Sequence, residues 1–316
     1  MADDLEIDFE KMKLWSEEKA RYYFENGGEE LPEWKPPPPA PPLPRASPET
    51  IKLWFPRWKA VENGKPKFRI VCFHSAGSAE SIWSGKGMRM PNDNPFVVHC
   101  QKNGGELLAA ELPGREQRRN EEKLWTQQSV ADAIFPVLAP FLQEDVPYVM
   151  VGHSMGTWSL YCMLKLLMGK GIPLPKQVIV SSFPGPHIPF DKRPWRVNKG
   201  MSDGQFKDEA RTWNVNEIVF GDQLWKQYEP LFRADFTLFD DFKYEPLPAP
   251  LPVPISAFYA QGDKNVKEEH VRLWKDVTGE SFSLGMVPGH HLFFYQYDIR
   301  NKWMEEVVKG FPTGFS

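Results

Sequence analysis

Cysteine is scarce, long apolar runs are missing, and neither sign of charge dominates. Cys72, Cys100 and Cys162 are the only cysteines among 316 residues. They are scattered, without metal-ligand spacing, and each falls in or near an apolar run, as small buried residues do. This argues against a disulfide scaffold and a cysteine-built metal site, and points to a reducing compartment, the cytosol by default. No apolar stretch is long enough to span a bilayer, so no membrane partner is expected. The net charge is −4 with no basic patch, which makes nucleic acid an unexpected partner. The opening Met1-Ala2-Asp3-Asp4 is acidic where a secretory or mitochondrial leader needs positive charge, so no such leader is expected.

What is present suffices for a sizeable core: 41% of the residues are hydrophobic, enough for one enzyme-sized domain with something appended. The appendage is read as residues 1–50 and the domain as residues 51–316. Leu5, Phe9, Met12 and Trp15 recur at helical spacing, which predicts an amphipathic helix over residues 5–26, stopped by Gly27 and Gly28. Such a helix docks a partner or, as the usual burial of such faces favours, packs back on its own domain. Residues 36–48 are dense in proline, which predicts extended polyproline II serving as a spacer.

From residue 68 the pattern alternates. Apolar strand runs are predicted at residues 68–73, 106–112, 147–151, 176–182, 253–260 and 281–287. Helices fall between them: residues 96–100 running on to Gly104, residues 128–142, residues 158–167, residues 268–278 and, closing the chain, residues 300–309. Pro136 and Pro140 should kink or split the second of these. The alternation predicts a doubly wound, mostly parallel α/β sheet. Residues 184–247 break the rhythm, with helical patterns at residues 203–213 and 223–232, and read as a helical lid. Trp213, Phe232 and Phe236 are its candidate substrate-binding residues, although most apolar helix stripes are simply core.

The centre of the chain is Gly152-His153-Ser154-Met155-Gly156. A strand precedes this G-x-S-x-G and an apolar helix follows it, the context of a nucleophile elbow whose serine hydroxyl stands exposed on a sharp turn. A serine hydroxyl needs a histidine to take its proton and a carboxylate to hold that histidine. The chain order Ser154, Asp263, His291 supplies them, the last two each just past a strand end, where loops of an open sheet converge. Asp235, Asp240 and Asp241 are the alternative acids. The small residues 74–79 after the first strand place the Ser75 N–H beside the Met155 N–H as an oxyanion hole. His153, inside the elbow, is read as a brace.

Five ordered stretches resemble one family, the type II thioesterases of polyketide and nonribosomal peptide synthesis, related to the medium-chain fatty-acid thioesterase. Residues 74–79 resemble its HAGGSA loop, residues 111–118 its QLPGRE-x-R signature, and residues 152–156 its GHSMG. Residues 231–236 are similar to its LRADF, and residues 288–293 to its PGGHFF. The resemblance implies an α/β-hydrolase fold and hydrolysis of acyl thioesters from the phosphopantetheine arm of an acyl or peptidyl carrier protein. It implies no metal and no cofactor of the enzyme's own. A monomer is expected. The ungapped match puts His291 on the family's histidine and His290 on a glycine. Ser75 replaces the family's alanine, and Lys264-Asn265 follows the acid where proline is frequent. A carboxylester or acyl-CoA hydrolase on the same fold, or a non-catalytic adaptor acting through residues 1–50, are the competing readings.

Overall fold

The computed structural model describes residues 34–62, 64–85 and 94–315. The helix expected over residues 5–26 lies outside them. Six parallel strands form one sheet in the order β2-β1-β3-β4-β5-β6. They are β1 (Phe68–Phe73), β2 (Gly105–Ala109), β3 (Tyr148–His153), β4 (Gln177–Ser181), β5 (Ile255–Ala260) and β6 (Phe282–Val287). β1, β3 and β4 are buried along their whole length, which is why they read as continuous apolar runs and not as alternating ones. β6 is an edge strand and is mostly half-exposed. The chain leaves β1 for β2 on one side and returns to β3 on the other. The crevice between the ends of β1 and β3 is therefore the switch point where doubly wound sheets bind ligands.

The helices are α1 (Pro48–Trp54), α2 (Pro95–Asn103), α3 (Gln127–Leu142), α4 (Gly156–Lys170), α5 (Asp203–Thr212), α6 (Asp222–Asp240), α7 (Glu268–Arg272) and α8 (Tyr297–Lys309), with a single turn at Ser81–Ser84. One core cluster joins Phe68, Ile70 and Cys72 of β1 to Trp83, Phe96 and Trp303. Arg69, between them in sequence, points the opposite way, as alternation along a strand demands. It is 1% exposed and pairs with Glu106 at 2.8 Å, its register partner on β2. A buried arginine is tolerable only when paired in this way.

Two of the expected helices are resolved or changed. Of the two alternatives, a kink or a split, the split does not occur at Pro136 and Pro140: residues 127–142 form one helix. Its start is fixed by a reciprocal Thr126–Ser129 capping box, and Val130, Ile134 and Leu138 are buried along it, so packing overrides the missing N–H groups. α6 runs eight residues beyond the expected residue 232, through Pro230, to Asp240. The proline-rich residues 37–47 form neither helix nor strand, and residues from Pro37 onward fall in the same compact unit as the sheet. Gln143 on the end of α3 receives the Leu43 N–H at 2.8 Å and donates to the carbonyls of Pro41 and Ala40. Arg45 stacks over the Phe141 ring, 3.2 Å from its centroid.

Candidate active site

The loops after β3, β5 and β6 bring Ser154, Asp263 and His291 together. Ser154 Oγ lies 2.7 Å from His291 Nε2, and His291 Nδ1 lies 2.6 Å from Asp263 Oδ2. Asp263 Oδ1 accepts the N–H groups of Asn265 and Val266, both at 3.0 Å. The Lys264-Asn265 turn thus caps the carboxylate without a proline. With Asp263 ionised, His291 Nδ1 carries the proton and Nε2 is left as the acceptor facing the serine.

Ser154 sits at φ +51°, a left-handed conformation unusual for a residue with a side chain. The surrounding chain enforces it. The Ser154 N–H donates to Ser181 O at 2.9 Å, and Thr157 Oγ1 donates to Ser154 O at 2.8 Å. The two glycines are steric necessities: a Cβ on Gly156 would stand 2.4 Å from Phe73 O, and one on Gly152 would stand 2.9 Å from Thr157 Cα. Contrary to the expectation of an exposed hydroxyl, Ser154 is only 2% exposed.

His153 braces the turn. It is fully buried, 2.9 Å from Ser181 Oγ through Nδ1, with its ring against Phe293 and Phe294. Burial, and then the neighbouring His291, hold its pKa well below the usual histidine value, so it stays neutral. His74 bonds the Ser75 carbonyl at 2.9 Å, and burial, helped by Arg115, lowers its pKa to about 3. His290 is half-buried; its Nδ1 accepts the Leu292 N–H at 3.1 Å, while its own N–H donates to Gln296.

The Ser75 and Met155 N–H groups are buried, and neither donates to a protein acceptor among the described residues. The Ser75 hydroxyl, the departure from alanine, is engaged with Ser78 Oγ at 2.5 Å. Gln127, which the sequence did not single out, supports this side: it receives Ser159 Oγ at 2.6 Å and reaches Met155 O at 3.5 Å.

Of the aromatic candidates in the insertion, Trp213 packs edge-on against His291, with ring centroids 4.6 Å apart. Phe236 packs between Trp213 and Phe206, and Phe232 lies on Gly77, where a Cβ would meet its ring at 2.0 Å. All three are buried. A cavity of about 570 Å³ opens instead beside Gln127, Tyr161, Cys162, Phe190, Leu238 and Phe242, and none of the three lines it. Asn214, at φ +64°, accepts the His291 N–H at 3.3 Å and was not foreseen; asparagine tolerates that backbone, but many turn asparagines do. Asp235 pairs with Arg115, and Asp240 accepts from Asn198, so neither holds the histidine. Asp241 is exposed. Among the described residues no group of three or more side chains is arranged to hold a metal ion, and no helix is long and apolar enough to cross a membrane.

A six-stranded parallel sheet with a serine elbow after its third strand defines an α/β-hydrolase. A family model for the thioesterase domain matches residues 68–309. The gramicidin S biosynthesis protein GrsT of Aneurinibacillus migulanus is 28% identical over 248 residues, 78% of this chain and 90% of that protein. The medium-chain S-acyl fatty acid synthase thioesterase of Rattus norvegicus is 25% identical over 243 residues, 76% and 86% of the two chains. The solved structure of RedJ, a thioesterase from the prodiginine biosynthetic pathway in Streptomyces coelicolor, superposes with a TM-score of 0.66 at 26% identity, covering 81% of this chain and 92% of RedJ. This chain belongs to the thioesterase-domain family and is a thioester hydrolase, as the resemblance implied.

Proposed function

We propose that this protein cleaves acyl groups from the phosphopantetheine arm of acyl or peptidyl carrier proteins through a serine acyl-enzyme. The observation that carries the mechanism is the unbroken hydrogen-bonded chain from Ser154 through His291 to Asp263. His291 Nε2 takes the Ser154 proton as Oγ attacks the thioester carbonyl. The oxyanion that forms is met by the N–H groups of Ser75 and Met155. Collapse breaks the C–S bond, and His291 returns its proton to the departing thiolate. Water then attacks the acyl-enzyme, again giving its proton to His291, and the free acid leaves while Ser154 is reprotonated. Asp263 steadies the imidazolium at each stage. No step calls for a metal or a cofactor.

The helical insertion acts as a lid: Trp213 and Asn214 lie directly on His291, which itself meets the buried Ser154. Trp213, with Phe232 and Phe236 behind it, is assigned to the acyl group's wall. The carrier-bound substrate is favoured because relatives act in gramicidin S, prodiginine and fatty acid synthesis by their names. The three cysteines are free and buried, in keeping with a reducing cytosolic setting; burial raises the Cys162 thiol to about 12. Residues 1–36 are assigned no part in the chemistry.

The test compares one acyl group presented on a holo carrier protein, on coenzyme A and as a p-nitrophenyl ester. The carrier-bound form should be hydrolysed with the highest kcat/KM, by roughly tenfold or more, the scale of one lost recognition contact. Faster turnover of the plain ester, or of acyl-CoA, would replace this reading with an esterase or an acyl-CoA hydrolase.

A further inference from the structure

Two of the five sequence signatures, residues 111–118 and residues 231–236, contribute nothing to the Ser–His–Asp chain. The structure joins them to each other. Asp235 on α6 is 1% exposed, and Arg115 in the loop after β2 is 5% exposed. The pair is bidentate: Arg115 Nη2 donates to Asp235 Oδ1 at 2.8 Å and Nη1 to Oδ2 at 3.0 Å. Both residues also grip the loop after β1. The Gly77 N–H donates to Asp235 Oδ2 at 2.7 Å, and Arg115 Nη1 donates to Ser78 O at 2.8 Å. Phe232, one helical turn before Asp235, lies on the face of Gly77. Gly77 is at φ +67°, so the loop needs a glycine for its backbone as well as for that contact.

We propose that Arg115 and Asp235 are positioning residues for the reaction: together they hold the loop that carries the Ser75 N–H at the height the oxyanion requires, and they do so only when α6 is seated. The inference rests on the reading of Ser75 as an oxyanion donor. Its physical basis is that a donor aimed at a developing charge works only if its backbone cannot relax away. The loop after β1 has no strand neighbour at this point, and the Ser75–Ser78 bonds tie the loop to itself, not to the rest of the fold. A buried bidentate ion pair that accepts one loop N–H and donates to one loop carbonyl supplies two fixed points, two and three residues beyond Ser75. It also makes transition-state stabilisation depend on lid seating, since one of the two anchors belongs to the lid.

The experiment uses the full chain, with Asp235→Asn, Arg115→Lys and the paired replacement Arg115→Met with Asp235→Leu. The paired variant keeps apolar volume in place of the ion pair and guards against a fold lost to one unpaired buried charge. Three quantities are read on folded protein: kcat, KM for an acyl-pantetheine thioester, and affinity for an alkyl boronic acid. The boron accepts a lone pair from Ser154 Oγ, whose proton passes to His291, and the tetrahedral adduct places an oxygen where the oxyanion would lie. In each variant kcat should fall by roughly 10²–10³-fold, the cost of one misplaced oxyanion donor. KM should change little, and boronate affinity should fall in step with kcat. Variants with lowered Tm but wild-type kcat and boronate affinity would overturn the proposal, as would a folded, fully active paired variant. Boronate binding to wild type and its loss in Ser154→Ala report on the serine reading separately; a wild type that binds no boronate overturns both.

Discussion

Ser154, Asp263 and His291 each stand within four residues of a strand end, and each is held by hydrogen bonds of 3.0 Å or less from the sheet's own strands and loops. The insertion between β4 and β5 contains no strand. It is knit by rings: Phe183, Trp195, Trp213, Phe236 and Phe239 meet at centroid separations between 4.9 and 6.3 Å. Apolar ring packing is non-directional and tolerates small displacements, whereas a proton-transfer chain does not. One region is built for fixed geometry and the other for coverage, with the Arg115–Asp235 pair as a polar fastening between them.

The contrast is broken most directly at the histidines. His291→Ala should cost about 10⁴-fold or more in kcat/KM, the scale of losing a triad member, while His290→Gly should change it by less than about fivefold. Steady-state kinetics of the two variants decide it. A larger loss at position 290 would move the base and break the contrast. On the ring side, Phe239→Ala should remove about 3–5 kcal/mol of stability, as a fully buried aromatic does, yet leave kcat of the folded enzyme within about tenfold. Urea unfolding with kinetics on the same sample checks this. A loss of kcat comparable to His291→Ala would mean that the insertion shares the exacting geometry.

Glu111 tests the smallest effect. Burial, against the opposing pull of the Glu80 N–H and Arg115, pushes its carboxyl up to about 7. The folded state therefore keeps a proton that the unfolded chain releases near 4.5. That contribution is fully present below pH 4.5 and is lost as pH rises through 7, by about 3 kcal/mol at most. Glu111→Gln should flatten this part of the curve when urea stability is compared at pH 4.5 and 7.5. An unchanged slope would show that Glu111 ionises normally in the fold.

What could be read in the residues follows the same division. The elbow, its strand and its helix are local patterns, and the acid and base come from chain order past strand ends. The Arg115–Asp235 pair spans 120 residues, so its two signatures were visible and their partnership was not. The docking of the proline stretch on Gln143 spans about a hundred residues and has no local mark either. The prolines of α3 left a kink or a split open because propensity speaks for an isolated helix; the helix stays unsplit, with Val130, Ile134 and Leu138 packed against neighbours. The aromatic candidates were individually visible, but their mutual packing depends on the path of an insertion whose connections no periodicity reveals.

The central claim is that Ser154 is the nucleophile. A serine-directed fluorophosphonate, followed by peptide mass mapping and paired with acyl-thioester hydrolysis, tests it most directly. The account predicts a single adduct on Ser154, hydrolysis lost in proportion to labelling, and neither labelling nor hydrolysis in a folded Ser154→Ala. An adduct on another residue, or a Ser154→Ala variant that still hydrolyses the thioester at the wild-type rate, would contradict it.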